Sequence, residues 1–310
     1  MPQPDSSMQL AETADAVTLE AGGVELFRYV VQPDVPQLES PHPYMHPLRT
    51  TTGELVSLYR PHDHVWHKGI SLALPNVDDA NFWGGPTYVR DKGYVQLHNN
   101  GTQRHDEFTK VHITDGIARI DEQLSWITEQ GEHWIDEKRR FGAYLLPEES
   151  AWVLTFETAL HNRRETPIQF GSPTTEGRPA AGYGGFFWRG PRSFNNGKIL
   201  APDTSGEALM GQRAEWLGYV GKHDGIDGAA TIVFVDNTAN VRHPTQWFVR
   251  SEPYACVCPA PFFDEVLDVP ADDTLTLRYD FLIGSGSWDP ARIGQVVSDR
   301  VRGVDALGRS

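Results

Sequence analysis

Apolar and polar residues alternate along most of this chain. In AWVLTFETAL (151–160), Trp152, Leu154 and Phe156 fall on one side of an extended backbone. TLTLRYDFLI (274–283) puts Leu275, Leu277, Tyr279 and Phe281 on one side, with Thr276, Arg278 and Asp280 opposite. ELVSLYR (54–60), IARIDEQLSWIT (117–128) and ATIVFVDN (230–237) read the same way. Successive side chains of a strand point to opposite faces, so this spacing predicts half-buried antiparallel strands. TTG, NNG, EQG and ADD supply turns between them. One segment departs from the period. In SWDPARIGQVVSDRVRG, Asp289 can cap a helix, Pro290 suits its first position and Gly303 can stop it. Ile293, Val296, Val297 and Val301 make its apolar stripe. A short helix is also expected around 208–217.

Strands and helices do not alternate, which disfavours a parallel α/β arrangement. The expected fold is all-β: a large antiparallel two-sheet sandwich with a C-terminal helix. No linker or repeat divides it. The expected organisation is a polar, flexible tail over residues 1–20 and a single domain over 21–310.

Composition narrows the function classes. The 310 residues carry a net charge of -15, which repels a phosphate backbone, so no nucleic-acid partner is expected. No apolar run reaches the roughly 18–20 residues that span a bilayer, so no membrane partner is expected either. MPQPDSSMQLAETADAV lacks a basic stretch followed by an apolar core, and a cytoplasmic location is expected. The two cysteines, Cys256 and Cys258 in ACVCP, are too close along an extended chain to favour a disulfide and read as buried small hydrophobes.

Four segments concentrate chemistry. RPHDHVWHKG (60–69) holds His62, His64 and His67. In an extended chain His62, His64 and Trp66 share one face, and the first two could chelate a metal with a third ligand from elsewhere. The same histidines suit acid–base work on a sugar, or simply a polar loop. SPTTEGRPAAGYGGFFWRG (172–190) is dense in glycine, and Glu176 and Arg178 flank Gly177. A carboxylate and a guanidinium presented together can bind sugar hydroxyls, or form a surface ion pair. GYVQLHNNGTQRHDEF (93–108) predicts a hairpin at Asn100-Gly101, with His98 and His105 on either side. In NVRHPTQWFVR (240–250), His243, Trp247 and Arg250 offer an aromatic face and polar donors for a sugar ring, or core packing. No Gly-x-Ser-x-Gly elbow, phosphate loop or reactive-cysteine motif is present.

The order PYMHPLRTTTGELVSLYRPHDHVWHKGISLALPNVDDANFW, GYVQLHNNG, TTEG, GYGGFFWRG and RHPTQWFVR resembles a family of soluble bacterial proteins labelled "PmoA-like", over roughly residues 25–285. The methane-oxygenase label does not suit a chain without a membrane span. The resemblance implies a galactose-mutarotase-like supersandwich and a role in carbohydrate catabolism. This chain departs from the family pattern: Val65 and Trp66 replace a Pro-His pair, Lys68 replaces Arg, and Phe248 replaces His. One candidate metal ligand is therefore missing.

The expected function is a carbohydrate-active enzyme of sugar or glycoside catabolism, a mutarotase-like epimerase or a keto-glycoside eliminase. His64 or His67 would be the acid and Glu176 the base. His62, His105, Arg178, His243, Trp247 and Arg250 would bind substrate. The alternatives are a non-catalytic sugar-binding protein and a metal-dependent lyase or oxygenase. No cofactor is expected, with a divalent metal as the alternative. The expected partners are a small-molecule sugar or glycoside and, in a homodimer, a second copy of the chain.

Overall fold

In the computed structural model, which describes residues 7–308, the alternating segments pair as the period predicts. Strand Ala151–Asn162 lies between His133–Leu146 and Thr274–Ser285, all antiparallel. The register sets Trp152 opposite Ile283, Leu154 opposite Phe281 and Phe156 opposite Tyr279, so their apolar sides form one face. These strands belong to an eight-stranded sheet that also contains Ile117–Ile127 and Ala229–Asp236. An eleven-stranded sheet faces it, with Ile70–Val77, Gly185–Arg189, Cys256–Pro259 and Trp247–Arg250 side by side. The fold is thus an all-β antiparallel sandwich closed by a C-terminal helix.

The core between the sheets is aromatic. Phe156 stacks on Phe186 across it, with ring centroids 3.8 Å apart and planes 8° from parallel. Burying one such side chain contributes about 1.5–3 kcal/mol. The outer face of the eight-stranded sheet, with Val153, Val233, Val235 and Leu282, is covered by helix Pro290–Val296 through Ile293 and Val296. Asp289 caps it as expected, its carboxylate accepting from the Arg292 N–H at 2.8 Å. Among the described residues no helix is long and apolar enough to cross a membrane.

The outer face of the eleven-stranded sheet is also buried. All five residues of Gly185–Arg189 are buried. Phe186 and Trp188 enter the sandwich core, whereas Phe187 packs in a second cluster with Phe248, Cys256 and Cys258. Both cysteines are free and fully buried, as their sequence context predicts, and burial pushes the Cys256 thiol up to about 12.

Four sequence expectations are corrected. From Met8 onward the expected tail forms strands Met8–Glu12 and Ala16–Ala21, because Val17 and Leu19 alternate into the core; residues 1–6 lie outside the described residues. ELVSLYR makes only isolated bridges, Leu55 with Arg49 and Tyr59 with Lys68, since turns on both sides leave too little chain for a ladder. The helix around 208–217 shrinks to a turn at Glu207–Leu209, and the period of two resumes at Trp216–Lys222. Asn100-Gly101 is no hairpin tip: Gly93–Val95 pairs with Thr87–Val89 instead, and Asn100 bridges Asn81. His98 consequently points into solvent.

Candidate functional site

RPHDHVWHKG is a closed loop rather than an extended segment. The His64 N–H donates to the Pro61 carbonyl at 3.0 Å, and the His67 N–H to the His64 carbonyl at 3.0 Å. The Arg60 N–H then donates to the His67 carbonyl at 2.9 Å and pinches the loop shut. Beneath it lies buried Glu39, whose carboxylate takes Arg60 at 2.6 Å and the fully buried Lys68 ammonium at 3.5 Å. Burial holds the Lys68 amine down at about 8, against the opposing pull of Glu39. Two successive turns bring residues three apart onto the same side. The His64 and His67 rings stack at 4.7 Å, 13° from parallel.

The two stacked imidazoles are held in opposite hydrogen-bonding states. His64 Nδ1 lies 2.9 Å from an Asp63 oxygen. Partial burial acts to raise the Asp63 carboxyl, but hydrogen bonds from His64, Arg189 and Arg192 outweigh it and hold it well below the usual carboxylate range. An ionised carboxylate only accepts, so His64 Nδ1 carries the proton, and in the neutral form of this ring Nε2 is a lone pair. His67 Nδ1 lies 2.9 Å from an Arg189 guanidinium nitrogen. A guanidinium only donates, so this Nδ1 accepts and the proton sits on Nε2. Burial, with the Arg189 guanidinium and the charge that His64 carries when protonated, pushes His67 well below its ordinary value and keeps it neutral. Arg189, fully buried under the Tyr254 ring, also binds Asp63 at 3.1 Å and so ties both imidazoles together. Removing it frees His67 to exchange tautomers. In Arg189→Met, long-range proton–nitrogen correlation spectra are expected to show His67 losing its single tautomer while His64 keeps its own.

A cavity of about 420 Å³ opens beside this pair on the outer face of the eleven-stranded sheet. His64, His67, Trp66, Trp83, Tyr183 and Tyr254 wall it, Phe187 and Phe248 form its floor, and Tyr94, Arg178 and Arg250 line it too. Trp66 stands edge-on to His64 at 5.5 Å. It fits because Gly85, at φ +69°, has no side chain: a Cβ there would meet the indole at 2.7 Å. The Arg178 guanidinium hydrogen-bonds the Tyr94 hydroxyl and lies over its ring at 4.8 Å. Arg250 donates to the Ala180 carbonyl at 3.5 Å and lies near the Phe248 ring.

Four of the nine sequence-chosen residues meet here: His64, His67, Arg178 and Arg250. The other five lie elsewhere. His62 turns away to Arg192, at 3.2 Å, so it does not share a metal with His64 as the extended reading allowed. Among the described residues no group of three or more His, Cys, Asp or Glu is placed to hold a metal ion. Glu176 sits in the turn before Arg178 but does not line the cavity. His105 is bonded to buried Glu122 at 2.7 Å, between strands of the other sheet. His243 is bonded to Asp236 at 2.7 Å. Trp247 is core: its ring is wholly buried and its indole N–H donates to the Ala214 carbonyl at 2.9 Å. Alternation explains this last correction, because Trp247 and Arg250 have opposite parity on one strand and cannot face the same way. The same rule, applied to FFWRG, places Arg189 with Phe187 and could have found the residue that joins the histidines.

Several imidazoles that stay neutral when buried make the fold acid-sensitive. Burial, helped by Arg49, holds His46 down at about 4. His42 and His67 are lowered too, chiefly by burial. Unfolded histidines take up protons near pH 6.5, whereas these rings resist until the pH is far lower. Stability present above pH 6.5 is therefore lost as the pH falls through about 4. Urea denaturation across that range is expected to show a loss of about 2–3 kcal/mol from His46 alone.

No curated protein matches this chain. Solved structures similar to it include a TPR-domain containing protein from Parabacteroides distasonis ATCC 8503, at 14% identity over 94% of this chain and 51% of that one, with a TM-score of 0.38. A GH36 alpha-galactosidase from Geobacillus stearothermophilus is 10% identical over 91% of this chain and 41% of that one, TM-score 0.39. A galactose 1-epimerase from Lactobacillus acidophilus NCFM is 9% identical over 91% of this chain and 99% of that one, TM-score 0.39. The chain thus spans about half, or less, of the first two. The stretch from strand Ala16–Ala21 to the C-terminal helix, which carries the whole cavity, is also what a family model matches: over residues 16–298 the chain belongs to DUF6807, a family of unknown function.

Proposed function

We propose that the cavity binds a sugar or glycoside bearing a carbonyl, and that His64 and His67 move a proton next to that carbonyl. The observation that carries this reading is the stacked pair in opposite states: His64 Nδ1 donates to Asp63, which leaves its Nε2 free to take a proton, and His67 Nδ1 accepts from Arg189, which leaves an N–H on its Nε2. His64 takes the proton on the carbon adjacent to the carbonyl. The C–H electron pair moves into the new double bond, and the negative charge that develops on the oxygen is held by the His67 N–H. A neutral imidazole donor suits this task, because its proton stays put while it polarises the oxygen. His64 then returns its proton to the other face of that carbon once the enolate has turned over, to the former carbonyl carbon while the adjacent hydroxyl gives its proton to the former carbonyl oxygen, or to a leaving alkoxide. These outcomes are epimerisation, isomerisation and elimination. Asp63 stabilises the imidazolium that His64 becomes in between. Trp66, Trp83 and Tyr254 offer flat apolar faces to the C–H side of a sugar ring.

This reading replaces Glu176 as base with His64, because among the described residues no carboxylate lines the cavity. Its test is a panel of ketoses, aldoses and keto-glycosides, scored by thermal shift and by exchange of solvent deuterium into the sugar carbon. Binding with deuterium uptake is the expected result. Binding without any exchange would leave a sugar-binding protein and no enzyme.

A further inference from the structure

Among the described residues, the cavity of this acidic protein is lined by no acid. The chain has 42 Asp and Glu against 27 Lys and Arg, yet none of the described carboxylates lines the cavity. Arg178 and Arg250 do line it, and among the described residues neither forms an ion pair. Arg178 bonds a tyrosine hydroxyl, and Arg250 bonds the carbonyl of Ala180, two residues along from Arg178. Both guanidiniums line the same cavity. Behind the histidines the balance is also positive, since Arg189 and Arg192 share the single carboxylate of Asp63.

We infer that the substrate of this site is an anionic sugar, its carboxylate or phosphate seated on Arg178 and Arg250. This rests on the sugar reading above and adds the charge. Guanidiniums held by neutral partners keep N–H donors for an incoming anion, and planar forks match a carboxylate in pairs. A local positive field inside a net negative molecule draws an anion to the cavity. The carboxylate is the favoured source. Phosphates are characteristically cradled by helix N-termini, and the helix of this fold covers the other sheet.

Calorimetric titration with glucose, glucuronate and glucose 6-phosphate tests this. At low salt glucuronate is expected to bind about tenfold more tightly than glucose, an advantage that high salt erodes. Arg178→Gln and Arg250→Gln, checked for an unchanged melting temperature, are expected to erase that preference, bringing the ratio of glucuronate to glucose affinity down to about one. Arg178→Lys is expected to keep part of it. Glucose 6-phosphate binding more tightly than glucuronate would uphold the anion and make phosphate its source. Equal affinity for glucose and glucuronate, unmoved by either substitution, overturns the inference while the sugar reading stands. No binding by any of the three overturns both.

Discussion

Arg139→Met is expected to lower the unfolding free energy by about 3–5 kcal/mol, the range found when one partner of a buried ion pair is removed. Arg139 is buried in the sandwich core and makes four hydrogen bonds there. Two reach the Glu137 carboxylate at 2.7 and 2.8 Å, one the Gln103 carbonyl oxygen at 2.9 Å, and one the Tyr29 hydroxyl at 2.9 Å. Tyr29 belongs to the facing sheet and donates to Glu122 at 2.5 Å, so the guanidinium ties the two sheets together. Methionine matches the length and leaves two buried carboxylates without this cation. Burial already raises the Glu122 carboxyl, and Arg139 is one of the groups holding it back. Without Arg139 it rises further, and protonation then relieves the deficit. The gap between variant and parent in urea denaturation is therefore expected to narrow as the pH falls. Adding Glu137→Met is expected to restore much of the loss, because the uncompensated charge goes with it. A single variant as stable as the parent would mean that this network only fills space.

The same network shows what alternation can and cannot reveal. In Ile117–Ile127, Ala118, Ile120, Leu124 and Trp126 face inward, and Glu122 shares their parity. In His133–Leu146, Glu137 and Arg139 share the parity of Ile135, Phe141 and Ala143. Period two read through charged positions, rather than only through apolar ones, places all three in the core and moves His105 there with them. The long strands and the helix stripe were legible because burial on one face imposes a strict period. The cavity was legible only in part. Its floor follows from parity on FFWRG and WFVR, but its wall comes from loops, where two turns decide which histidines meet. Turn residues in RPHDHVWHKG permit that geometry without dictating it. Nor does parity within a strand say which distant loops will cover it, so Trp83, Tyr94 and Tyr254 carried no signal as neighbours of His64.

His64→Gln is expected to lower turnover by about 10²–10⁴-fold, the usual loss when a general base is removed, with little change in sugar affinity. The fold should survive, because the ring is partly exposed and Asp63 keeps Arg189 and Arg192 as partners. A glutamine has no basic nitrogen, so nothing takes the proton from the sugar carbon. His67→Gln is expected to do less harm. Its amide N–H₂ can still donate to a developing oxyanion, which is the role assigned to the His67 N–H. Opposite hydrogen-bonding states thus predict unequal damage from the same substitution at two stacked neighbours. Deuterium exchange into the bound sugar separates the cases, since it reports proton abstraction whatever the final product. Exchange that persists in His64→Gln but vanishes in His67→Gln would reverse the two roles. Exchange at the parental rate in both variants would move the chemistry away from this pair and leave the loop as a wall of the cavity.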